Sequence, residues 1–205
     1  KSIDDLKGKR IANKIGSGSY RALGDWCAKN NCKVSDFQIL NTSPASIIAA
    51  LESKSVEAGI WFAPTTSIAV HKGIARILMD FKGANLGAAT WSARKDFASK
   101  NKNLMARFMA ATVDAQELIL KDSRKGAELL SAGLKKLGRD LPVPVLEMGI
   151  NDFTYEHGML DGKLVKAYSQ VFKAFKARGK LRGSKPDFAA LMDDSYYKAG
   201  LKIRK

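Results

Sequence analysis

The spacing of apolar positions changes once along the chain. From Lys9 to Phe81, short apolar runs alternate with segments whose apolar residues recur three and four positions apart; after Arg94 only the second pattern continues. The runs Lys9–Asn13, Phe37–Leu40, Val56–Phe62 and Ala75–Phe81 predict four strands. Tyr20–Lys29, Ala45–Ser53 and Thr65–Lys72 predict the helices between them, and Ser2–Leu6 a short capped turn. Thr42-Ser43-Pro44 is a helix start: serine supplies a cap, and proline at the first turn gives up only an N–H that has no intrahelical acceptor. Behind it Ile47, Ile48 and Leu51 share one face. Pro64 stops the third strand and Gly73 ends the third helix. Strands alternating with helices predict an α/β, doubly wound and mostly parallel sheet, in which ligands meet the carboxyl ends of the strands. Those ends carry Gly16–Tyr20, Asn41–Ser43 and Trp61–Pro64, and they converge on one edge.

Beyond Gly83 the pattern predicts a second, helix-rich unit. Leu86–Ser92 is one more strand-like run. The helix Phe97–Asp122 follows, with Leu104, Phe108, Ala111, Ala115, Leu118 and Ile119 at helical spacing, and then Arg124–Leu137, Val143–Ile150 and Asp161–Arg178. Its strands are too few for a sheet of its own. Its helices either cover the first sheet or belong to a domain completed by other residues.

The stretch with the clearest chemistry is Ile11–Tyr20, an apolar strand running through Gly16-Ser17-Gly18-Ser19 into a helix. A helix start presents backbone N–H groups without acceptors, the helix dipole favours negative charge there, and two hydroxyls stand beside it. The turn therefore suits an anion; the alternative is an ordinary strand-to-helix turn with Ser19 as cap. It is not a phosphate loop, since no Gly-Lys-Ser/Thr follows. Nor is it a dinucleotide fingerprint, since Arg21 stands where the third glycine would be.

Composition narrows the classes further. The 205 residues are 45% hydrophobic and 27% charged, which is globular and enough for one large or two small domains. No run approaches the roughly 18 apolar residues of a membrane helix, and Lys1–Asp5 does not read as a signal peptide. The formal net charge of +15 would suit a nucleic acid if clustered, but the lysines are spread along the chain, so no nucleic-acid partner is expected. Cys27 and Cys32 fit no metal or redox spacing, and neither a metal nor a cofactor is expected. They are either buried thiols or a disulfide, the latter if Asn30-Asn31 ends the helix in a left-handed turn that brings the second sulfur back. His71 and His157 lie in separate units, without a cysteine or paired carboxylates to complete a catalytic set, so no enzyme is expected.

Three segments carry a family resemblance: IDDLKGKRIANKIGSGSYRALGDWCAKNN, PASIIAALESKSVEAGIWFAPTTSIAVHKG and ATWSARKDFASKNKNLMARFMAATVDAQELI. Over Ser2 to about Leu130 the chain resembles the periplasmic solute-binding proteins of ABC importers for nitrate, sulfonates and taurine, the NMT1/THI5-like family. The resemblance implies a periplasmic-binding-protein type II-like fold whose two α/β lobes close like a hinge on a small solute. Residues 1–86 would be the second lobe, 87–93 the return hinge strand and 94–205 the helical part of the first lobe, whose N-terminal portion has no counterpart in these residues. It further implies a small anionic solute (sulfonate, nitrate, taurine or carboxylate), a permease in the inner membrane as partner and a periplasmic location. A separate N-terminal fragment of the same precursor, or a second chain, is expected to cover the helices after Arg94. Ser17, Gly18, Ser19, Tyr20, Ser43, Trp61, Pro64, Thr90 and Trp91 are the implied ligand-binding residues, with both serine hydroxyls facing solvent until the solute arrives. The alternatives are a ligand-sensing domain of a regulator or an enzyme like the pyrimidine-precursor synthase of the same fold, whose cysteine-rich motif is absent from this sequence.

Overall fold

The computed structural model describes residues 2–81, 90–153, 162–177, 179 and 181–204. The chain divides into two compact units, residues 1–86 with 127–153, and residues 87–126 with 154–205. The sequence pattern groups everything after residue 94 together. Residues 127–153 instead belong with the first unit, because a helix within them buries its apolar face there.

In the first unit, β1 (Arg10–Asn13), β2 (Gln38–Asn41) and β3 (Ala58–Gly59) form a parallel sheet in the order β2-β1-β3. Arg10–Asn13 pairs in register with Gln38–Asn41, and Ile11–Ala12 pairs with Ala58–Gly59. Successive residues of a strand point to opposite faces, so Ile11 and Ala12, both fully buried, need a cover on each side. Helix α1 (Gly18–Lys29) covers the Ile11 face with Leu23 and Cys27, joined by Phe37 and the half-buried Trp26. Helix α2 (Pro44–Glu52) covers the Ala12 face with Ile47, against Val56 and Trp61. The approach of α2 to the sheet is close: a Cβ on Gly59 would stand 2.7 Å from Ile47 Cγ2. With α1 leading to one neighbour of β1 and α2 crossing to the other, the strand order reverses at β1, and its carboxyl end is the switch point of the sheet.

Helices α3 (Thr65–His71) and α7 (Val143–Asn151) pack on each other in the same unit. Val145, Leu146, Gly149 and Ile150 are buried on α7, and a Cβ on Gly149 would meet Ala63 Cβ at 3.0 Å. Helix α6 (Ser123–Lys136) precedes it, and the Ser131 hydroxyl donates to Leu141 O at 2.8 Å.

Two expected strands differ. Among the described residues Val56–Phe62 pairs only at Ala58–Gly59, extended by Glu57 N–H to Arg10 O and Ile60 N–H to Ala12 O, each at 2.9 Å. Ala75–Phe81 has no ladder among the described residues: the Ile74 and Ala75 amides turn back to Ala69 O, and Ile77 is 53% exposed. Of the expected strand Leu86–Ser92, residues 86–89 lie outside the described residues, and 90–92 form no strand.

At the far end of α1, Asn31 adopts φ 51° and the Cys32 amide donates to Cys27 O at 3.2 Å. This left-handed step brings the Cα atoms of Cys27 and Cys32 to 4.5 Å, and the two are disulfide-bonded. Of the two readings the spacing allowed, the structure has the disulfide.

The second unit holds α4 (Lys95–Lys100), α5 (Lys102–Lys121), α8 (Gly162–Ala177) and α9 (Ser195–Ile203). The single helix expected from Phe97 is interrupted at Asn101, whose side chain donates to Phe97 O at 2.8 Å and so competes with the backbone ladder. Helix α9 lies so close to α5 that a Cβ on Gly200 would stand 2.8 Å from Ala106 O and 2.9 Å from Ala110 N. Arg204 secures that contact, donating from Nε to Asp114 at 2.5 Å and from both Nη groups to Glu117.

Candidate functional site

The carboxyl edge of the sheet is assembled from the ends of three strands. β1 ends in Asn13, whose backbone oxygen accepts from Thr42 N–H at 3.1 Å, while Asn41 Oδ1 takes the Ile15 N–H at 3.1 Å. These bonds tie the exits of β1 and β2 together, and Gly16, at φ 84°, then turns the chain into α1.

Ser17, and not Ser19, is the N-cap of α1: its extended backbone and its hydroxyl, which accepts from Tyr20 N–H at 3.2 Å, start the helix two residues earlier than expected. Arg21 N–H donates to Ser17 O at 3.1 Å, closing the first turn. The amides of Gly18 and Ser19 have no acceptor among the described residues, so they are the donors left at the positive end of a twelve-residue helix.

Ser19 departs from the expectation that both hydroxyls face solvent. It is 2% exposed, donating to Asn13 Oδ1 at 2.8 Å, with Ser17 Oγ 2.9 Å away. Asn13 is itself fully buried, and its Nδ2 has no partner among the described residues. Sequence reasoning passed over Asn13 because a polar residue ending an apolar strand reads as the start of a surface loop. Just behind the turn, Arg21 is buried, with Nη1 2.9 Å from Asp25 Oδ2 one helical turn on.

Around the turn, Phe62 was also missed: a Cβ on Gly18 would lie 3.5 Å from its ring. Trp61 meets Phe62 edge-on at 5.6 Å and also packs against the Ala12, Ile47 and Val56 cluster, so it is part wall and part core. Pro64, after a cis peptide bond, precedes α3 and is exposed. Ser43 precedes α2, exposed, with its hydroxyl 2.8 Å from that of Ser46. Tyr20 is half-buried.

Thr90 and Trp91 belong to the second unit. Thr90 Oγ1 is 3.2 Å from Tyr168 Oη, and Trp91, 66% exposed, meets Phe108 edge-on at 5.0 Å. His71 is exposed near the end of α3, and His157 lies outside the described residues. Among the described residues no group of histidine, cysteine and carboxylate side chains could hold a metal ion, and no helix is long and apolar enough to cross a membrane.

The chain is similar to proteins named for binding small sulfonates. A provisionally named aliphatic sulfonates-binding protein of Escherichia coli (strain K12) is 29% identical over 146 residues, 71% of this chain and 44% of that one. The taurine-binding periplasmic protein of the same strain is 30% identical over 118 residues, 56% of this chain and 36% of that one. The chain thus spans less than half the length of these relatives. The alkanesulfonate-binding protein SsuA of Xanthomonas axonopodis pv. citri, solved bound to MOPS, superposes with a TM-score of 0.74 at 25% identity, covering 89% of this chain and 62% of that one. The periplasmic aliphatic sulphonate binding protein SsuA of Escherichia coli gives 0.76 at 24% identity, covering 97% and 66%. These superpositions establish the fold as that of periplasmic binding proteins, as the sequence implied. The family model described as NMT1/THI5 like matches residues 1–125, and the chain belongs to that family.

Proposed function

We propose that the chain is the solute-binding part of an ABC import system, that it captures a small anion at the Ser17–Tyr20 turn, and that it works in the periplasm with a membrane permease as partner. The observation that carries this reading is the pair of unaccepted amides, Gly18 and Ser19, at the start of α1 and on the switch-point edge of the sheet. Donors aimed at a charged oxygen contribute roughly 1.5–3 kcal/mol each, more than the roughly 0.3–1 kcal/mol of the helix dipole, so direct hydrogen bonds set the affinity. Trp61 and Phe62 flank the donors with flat apolar area suited to the short carbon chain of an alkanesulfonate. The disulfide supports a location outside the reducing cytosol. Binding rather than catalysis is the role, as the relatives' names have it.

Thermal-shift screening and calorimetry with ethanesulfonate, taurine, nitrate and acetate test the reading, because a ligand of the folded state raises its stability with the logarithm of saturation. At least one anion is expected to bind, with an affinity that Ser17→Ala lowers; a response to neutral solutes alone would overturn it.

A further inference from the structure

Each serine hydroxyl has one proton, and counting them fixes the direction of the chain Ser17–Ser19–Asn13. Ser19 spends its proton on Asn13 Oδ1, 2.8 Å away. The 2.9 Å contact between the two serines is therefore Ser17 donating to Ser19. Ser17 also accepts from Tyr20 N–H, so all it has left to turn outward is a lone pair. In this order the cap of α1 meets an anion with an acceptor, beside two amides that invite one. The same order leaves Asn13 Nδ2, fully buried, with no acceptor among the described residues.

One rotation removes the conflict at Ser17. Turning the Asn13 carboxamide by half a turn exchanges its oxygen and nitrogen. Nδ2–H then donates to Ser19, Ser19 to Ser17, and Ser17 to an oxygen of the bound anion, while still accepting from Tyr20. Nδ2 then gives one of its two protons to Ser19, and Oδ1 takes the unpartnered place, so the two orders leave similar numbers of unpaired groups and the anion decides between them. We propose that Asn13 is a positioning residue whose carboxamide sets the direction of the Ser19–Ser17 hydroxyl chain, and that anion binding reverses it. An anion shifts this equilibrium because only the reversed order offers it the Ser17 proton. The inference rests on the anion site proposed above.

Titration of ethanesulfonate into the 15N-labelled protein, followed by NMR, tests it. The backbone amides of Gly18 and Ser19 report whether the anion reaches the turn; the side-chain NH2 of Asn13 reports the reversal. The expected result is movement of both, with the Asn13 NH2 proton shifting downfield as it gains an acceptor. In Ser19→Ala the relay is cut, so the Gly18 amide should still move while Asn13 NH2 stays in place. Movement of the backbone amides with a silent Asn13 in the wild type, or an Asn13 shift that survives Ser19→Ala, overturns the reversal and leaves the anion site standing. Backbone amides that stay in place at saturating ethanesulfonate overturn the site, and the reversal with it.

Discussion

Reducing the Cys27–Cys32 disulfide should loosen the sheet-bearing unit by an amount the loop length sets. The bond closes a loop with a sequence separation of 5, and by the loop-closure relation a ring this short removes about 7 cal/mol/K from the unfolded chain, or about 2 kcal/mol at 25 °C. Reduction is a cleaner perturbation than substitution, because Cys27 is 2% exposed among Ile11, Leu23 and Phe37, and replacing it would also open a cavity. Hydrogen exchange of the β1 and α1 amides in oxidised and reduced protein gives the free energy locally. Protection should fall about 30-fold on reduction, the equivalent of about 2 kcal/mol. Equal protection, with mass spectrometry showing both thiols alkylated, would refute the loop-closure reasoning. Material prepared from an oxidising compartment in which both thiols alkylate without reductant would refute the bond itself.

Two further outcomes follow from particular contacts. Gly200→Ala places a methyl group against the backbone of α5, which cannot swing aside, so α9 should detach at a cost of about 1–3 kcal/mol; α9 amides exchanging as slowly as in the wild type would contradict this. Glu57, held by the Arg10 side chain and backbone N–H, has its pKa lowered from 4.5 to about 2, so its contribution to stability is present above pH 4.5 and is lost as pH falls toward 2. Acid titration of stability should be shallower over that interval in Glu57→Gln, and superimposable curves would remove the pair from the account.

The sequence exposed the parts of the fold that depend on which face is apolar. Ile11 and Ala12 sit side by side in a short run, and the only way to bury both is a sheet covered by helices on each face, which α1 and α2 provide. It overstated what depends on pairing. Val56–Phe62 is apolar apart from Glu57, yet among the described residues only Ala58 and Gly59 pair: Val56 and Trp61 are apolar because they pack beneath α2, and Phe62 because it packs beside Gly18. Helix α9 went unseen because Gly200 lowers helix propensity in its middle, and its compensation, a backbone contact with α5, is far away in sequence.

The candidate site divides the same way. Gly16 to Tyr20 was legible as a turn into a helix because glycine and serine there have few other uses at the end of an apolar strand. Which serine caps and which is buried was not, since Ser17 and Ser19 are alike in propensity and differ only in what surrounds them. Asn13 decides that difference: its carboxamide, sealed at the end of β1, holds the Ser19 hydroxyl inward and leaves Ser17 to cap the helix. A strand-ending asparagine followed by a glycine-serine turn therefore carries more information than its composition suggests. The turn supplies the donors, and the buried amide behind it governs which way the hydroxyls beside them point.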